Sequence, residues 1–258
     1  MRSALCVIAL LVAGVGIATA QAPDTKVSLV SANNPVKAGS SALVGIHFQI
    51  PVGWHMYWVN PGDAGEPPRV QWALPSGWTA GDMQWPTPKR LVNSAGVDYG
   101  YEGEVTLLTP MKVGPSGGDL TANLRWLVCK DVCVPQKGSA TTTIRVGTNG
   151  VDPVAKPIVD AAEAKLPKTP PIQWKMNALQ NPSHVMLNFR PGIKVREATF
   201  FPEDREVIEN AALQKLSSTS YAAQLALKKG DTAKKIARLK GVLVVNGADA
   251  YTVDVPVK

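Results

Sequence analysis

From Lys26 onward, apolar residues come in short alternating runs, and proline, glycine or asparagine closes each one. KVSLVSA (26–32) and SALVGIHFQI (41–50) alternate clearly, with NNPVKAGS as the turn between them. VQWAL, WTAGDMQWP, VTLLTPMKV, LTANLRWLV and TTTIRV follow at a spacing of roughly ten residues. A period of two fits strands with one buried face, and the interruptions leave no room for long helices. The 22 Gly and 21 Pro of the chain supply the turns. GWHMYWVNPGDAGEPP (53–68), where proline and glycine crowd together, reads as an ordered, aromatic-lined loop.

These runs predict an immunoglobulin-like sandwich over residues 21–147. VGTNGVDPVAKP then opens a linker, 148–167, with one short helix expected over Pro157–Pro167. IQWKMNAL, HVMLNFR, EATFFPE, YAAQLAL, RLKGVLVV and AYTVDVPV form a second β series, which predicts a second sandwich without cysteine over 168–258. The expected fold class is all-β: two immunoglobulin-like sandwiches joined by a linker carrying one short helix.

Residues 1–20 carry a different signal. Arg2 precedes the apolar run ALCVIALLVAGVGI, and Ala18-Thr19-Ala20 supplies small residues for cleavage before Gln21. The run is shorter than the roughly 20 residues of a membrane span, and no later stretch approaches that length. The expected mature chain is therefore exported, soluble and periplasmic, with no membrane span once the signal peptide is removed. Cys6 is discarded with the leader.

Charge and motif content exclude several classes. The net charge of +7 is spread along the chain apart from Lys228-Lys229 and Lys234-Lys235. No basic run is interleaved with stacking aromatics, which argues against nucleic acid. No GxSxG, HExxH or phosphate-binding glycine loop is present, so hydrolase and nucleotide chemistry have no anchor. His47, His55 and scattered methionines lack ligand spacing, and neither a metal nor a cofactor is expected. Trp54, Trp58, Trp72, Trp78 and Trp85 crowd one region and read as packing residues.

That leaves WLVCKDVCVP, with the two cysteines of the mature chain, Cys129 and Cys133. A three-residue hairpin loop would set them opposite each other across antiparallel strands, within reach of a disulfide in an oxidising compartment. Such a bond closes a five-residue loop, which chain entropy values at only about 2 kcal/mol. Spacing alone leaves two readings open: a redox pair, or a structural staple in a non-enzymatic binding module.

The order of four motifs adds to this. GWHMYWVNPGDAGEPP, then WPTPKRL (85–91), then DYGYEGEVTLLTP, then WLVCKDVCVP resemble the N-terminal periplasmic domain of the DsbD thiol:disulfide interchange proteins, most of all their copper-tolerance, ScsB-like branch. The resemblance covers about residues 25–147, and ATFFPEDREVIENAALQ and LKGVLVV are similar to the second β-domain of that branch. It implies a sandwich in which Cys129 and Cys133 shuttle electrons as a protein-disulfide reductase. The electrons would come from a membrane-embedded or thioredoxin-like donor and go to periplasmic disulfide-containing clients. Copper tolerance and cytochrome c biogenesis are the settings the resemblance implies. The family shields its pair with a cap loop bearing an aromatic residue; Val97 to Tyr101 occupies the corresponding place, which makes Asp98, Tyr99 and Tyr101 the cap candidates. Family members space their cysteines more widely and continue into a transmembrane region, so a separate donor protein is expected here. Around the pair, Lys130 would favour thiolate, as would Arg125 if it turned inward; Asp131, Asp98 and Glu102 would oppose it.

Overall fold

The structure is a computed structural model and describes residues 23–94, 96–231, 235–247 and 249–258. The leader expected at 1–20 lies outside the described residues. Among the described residues no helix is long and apolar enough to cross a membrane.

The first sandwich opens with β1 (Lys26–Ser31), β2 (Ser41–Gln49), β3 (His55–Gly62), β4 (Arg69–Ala73) and β5 (Thr79–Ala80). It continues with β6 (Lys89–Asn93), β7 (Gly96–Glu102), β8 (Glu104–Lys112), β9 (Gly118–Cys129) and β10 (Cys133–Ile144). One sheet runs β1-β2-β8-β5; the other runs β10-β9-β3-β7-β6, with β4 also paired to β9. Alternation does what the sequence pattern requires. Ile46, Phe48 and Leu107 from the first sheet meet Met56, Leu120, Leu124 and Val128 from the second, all buried in one core. Of the five crowded tryptophans, Trp58 and Trp78 are buried and the others are half-buried.

Two segments differ from their sequence reading. Residues 55–62, read as a loop, form β3 in the middle of the second sheet. HMYW alternates well enough to pair with β7 and β9, and Pro61 falls in the irregular stretch between Tyr57 and Gly62, where the register shifts. Residues 97–101, the expected cap loop, lie within β7, which is paired on both sides. Gly100 permits this, because a Cβ there would stand 2.1 Å from the Met56 carbonyl oxygen.

The linker carries α1 (Ala155–Glu163), which begins two residues before the expected start. The Asp152 carboxylate accepts hydrogen bonds from the Val154 and Ala155 N–H groups and so caps the helix upstream of Pro157. Val159 and Ala162 then bury against Leu108 on the outer face of the first sheet.

The second sandwich pairs β11 (Asn177–Gln180), β12 (His184–Phe189), β15 (Ala223–Lys228) and β14 (Lys215–Ser218) in one sheet. β13 (Ala198–Pro202), β16 (Arg238–Val245) and β17 (Asp249–Pro256) make the other. Its core gathers Val185, Leu187, Phe189, Leu225, Leu227, Leu243 and Val253. β13 shows how the two sandwiches meet. Phe200 enters the second core, while its neighbour Phe201, pointing the other way, enters the first core with Val242.

Candidate functional site

β9 and β10 form an unbroken twelve-residue ladder, and its last rung is Cys133 opposite Cys129. Lys130, Asp131 and Val132 turn the chain, with the Lys130 N–H donating to the Val132 carbonyl. The Cα atoms of the pair are 4.1 Å apart and the sulfurs are bonded. Cys129 is buried, at 3% exposure, because β3 covers it from the side; Cys133 is exposed. The two cysteines are therefore unequal in exposure.

Strand register decides what else reaches this face. His55 pairs with Cys129 on one side and Glu102 on the other. Tyr57, two residues on, shares the face with His55, and their rings meet edge to face at 5.2 Å. The Tyr57 hydroxyl donates to Cys133 Sγ at 3.4 Å. His55 Nε2 lies 3.3 Å from Asp98 Oδ2, and Asn93 Nδ2 donates to the same oxygen at 2.6 Å. Cys133, Tyr57, His55, Asp98 and Asn93 thus line up across four strands, with polar contacts at each step except Tyr57 to His55, where the rings meet edge to face.

The electrostatics follow from enclosure. Burial pushes the Tyr57 hydroxyl well above the usual phenol range, and the Asp98 charge adds to it, so Tyr57 stays a donor at any physiological pH. Burial lowers the His55 pKa below that of free imidazole, against the opposing pull of Asp98 and Glu102.

A second layer covers Tyr57. The backbone after β3 turns back over its ring: a Cβ on Gly65 would lie 2.1 Å from Tyr57 Cζ, and Gly65 has a φ of +80°. That stretch is tied down from the second sandwich. Arg205 donates to the Gly65 carbonyl, and Asn210 donates to Asp63 Oδ1, while Asp63 Oδ2 accepts from the Val97 N–H.

Of the residues expected at the site, Cys129, Cys133 and Asp98 come together on one face. Alternation along β7 sends Tyr99 and Tyr101 to the inner face. Tyr99 packs edge to face on Trp58 and Phe201, and the Tyr101 hydroxyl donates to the Pro86 carbonyl. The ring at Cys133 is Tyr57, which the loop reading of 53–68 concealed. The alternation His55, Tyr57 against Met56, Trp58 was the available signal. Arg125 is exposed, four residues along β9 from Cys129 on the same face, and His47 bonds Thr106 Oγ1 on another strand pair. Among the described residues no group of three His, Cys, Asp or Glu side chains could hold a metal ion.

The fold defines a class, a tandem of immunoglobulin-like sandwiches, and the first of them is similar to a known family. Residues 24–144 match the family model of the thiol:disulfide interchange protein DsbD, N-terminal. In structure the chain is similar to the N-terminal periplasmic domain of ScsB from Proteus mirabilis, at 17% identity and a TM-score of 0.68, over 90% of this chain and 92% of that one. It is also similar to the reduced DsbD N-terminal domain of Neisseria meningitidis, at 15% identity and a TM-score of 0.30, over 48% of this chain and 90% of that one. No curated protein sequence matches the chain.

Proposed function

We propose that the chain is a periplasmic thiol:disulfide interchange protein that passes electrons through Cys129 and Cys133 to client disulfides. The observation that carries this reading is the asymmetry of the pair: an exposed Cys133 and a buried Cys129, with a fixed hydroxyl donor on the exposed sulfur. The family match over 24–144 supports it.

In the reduced chain the Cys133 thiolate attacks one sulfur of a client disulfide. A mixed disulfide forms and one client thiolate leaves. The Cys129 thiolate then attacks Cys133 Sγ, re-forming the Cys129–Cys133 bond and releasing the second client thiolate. Two electrons move to the client, and the chain's pair is oxidised. A dithiol donor, membrane-embedded or thioredoxin-like, reverses the sequence and restores the thiols. The Tyr57 O–H donates to the developing Cys133 thiolate, and Tyr57 with the Gly65 turn serves as the cover of the pair.

Trapping tests the order of events. In the Cys129→Ser variant the mixed disulfide has no resolving thiol, so a covalent adduct with a peptide disulfide should accumulate. Cys133→Ser should give little adduct, because its remaining thiol is buried. Equal adduct yields from the two variants would overturn the assignment.

A further inference from the structure

We infer that the outer face of β4, β9 and β10 is a docking track for an acidic, extended segment that flanks a cysteine of the exchange partner; this rests on the exchange reading above. In β9, Cys129, Leu127 and Arg125 share one face, and their partners across the ladder are Cys133, Pro135 and Lys137. On the other side of β9, Arg69 of β4 pairs directly with Arg125. Away from the disulfide the face therefore reads sulfur pair, then an apolar step, then three cations abreast.

That row is costly to the fold. Directly opposed side chains on a sheet stand about 4.5–5.5 Å apart at Cβ, and like charges there are destabilising. One carboxylate relieves it: Glu66 lies 3.5 Å from Arg69, an exposed pair that solvent weakens. Among the described residues no carboxylate pairs with Arg125 or Lys137. Net positive charge is thus concentrated where packing gains nothing from it, which fits a surface made for an anionic partner.

The relief matches an extended chain. A groove of about 550 Å³ lies along the row on its disulfide side, lined by the three cations together with Leu127, Pro135, Pro67 and the carboxylate-bearing Glu66. A second, of about 570 Å³, continues beyond the row past Gln71, Asn123 and Ser139. Four strand residues span about 13 Å. A partner cysteine at Cys133 places the residue two positions away over Leu127 and Pro135, and the one four positions away over the cations. The segment that fits is Cys, then apolar at the second position, then Glu or Asp at the fourth.

The test uses the full chain and three synthetic peptide disulfides that differ only at the fourth position from cysteine: Glu, Gln or Lys. At an ionic strength of about 20 mM, the reduced chain should exchange with the Glu peptide roughly tenfold faster than with the Gln peptide, a preference that fades by about 300 mM. In an Arg125→Ala/Lys137→Ala variant the preference should vanish. The same variant should melt no lower than the parent, since it removes a repulsion. Equal rates for the three peptides at low salt would overturn the proposal. A fluorescent Glu peptide with serine in place of cysteine separates docking from chemistry. If no peptide exchanges, the exchange reading fails, and the surface is then judged on this probe alone: salt-sensitive binding lost in the double variant supports it, and absence of binding overturns it.

Discussion

Tyr57 joins the sulfur pair to the rest of the molecule, because its hydroxyl touches Cys133 and its ring is pinned by Gly65. A hydrogen bond to a charged sulfur is worth about 1.5 kcal/mol, which is about tenfold in an equilibrium. Tyr57→Phe should therefore raise the Cys133 thiol pKa by about one unit and slow exchange near neutral pH, read from the pH dependence of iodoacetamide alkylation. An unchanged alkylation profile would remove Tyr57 from the chemistry. Gly65→Ala adds a methyl inside the ring and strains a left-handed backbone, so it should cost about 1–3 kcal/mol in urea unfolding. His55 supplies a pH signature. Its folded-state pKa is depressed, so its contribution to stability is whole above the unfolded value of about 6.5 and is lost as pH falls through the folded value. Unfolding at pH 7.5 and pH 5 should show a larger loss for the parent than for His55→Gln; equal losses would mean His55 does not titrate in this window.

At the scale of elements, legibility followed period and punctuation. β2 and β9 were readable because apolar residues recur at every second position along most of their length. The hairpin at 130–132 was readable because two apolar runs flank it. β3 and β7 were not, and both failures have one cause. Local rules count proline and glycine against a strand, yet Pro61 lies where the register shifts, and Gly100 is required by the approach of the Met56 carbonyl. Those contacts come from sequence-distant strands and leave no local trace. The cap candidates suffered likewise: once 96–102 is a strand, parity keeps Asp98 with the cysteines and turns Tyr99 and Tyr101 inward. The ladder also sets what the disulfide adds. Its ends are already held by eleven further rungs, so Cys129→Ser/Cys133→Ser should lose only about 2 kcal/mol of stability. A loss of 5 kcal/mol or more would mark the bond as structural.

Across the whole molecule the two sandwiches share a core. Phe201 stacks edge to face on Tyr99 and Trp58, and buried Asn60 donates to the Pro202 carbonyl. Phe201→Ala should cost about 3–5 kcal/mol and split calorimetric unfolding into two transitions. A single transition at the parental temperature would mean the interface contributes nothing. Because Arg205 and Asn210 also hold the turn that covers Tyr57, losing that interface should speed alkylation of reduced Cys133 as well. Adjacent phenylalanines in TFF mark a strand buried on both faces, but nothing in the sequence says that the second face belongs to another domain.

All of this rests on Cys129 and Cys133 cycling between disulfide and dithiol, and their reduction potential, equilibrated against glutathione or dithiothreitol, tests that most directly. An exchange protein should lie near −200 mV, and a value below about −300 mV would identify a structural bond and contradict an electron-carrying role.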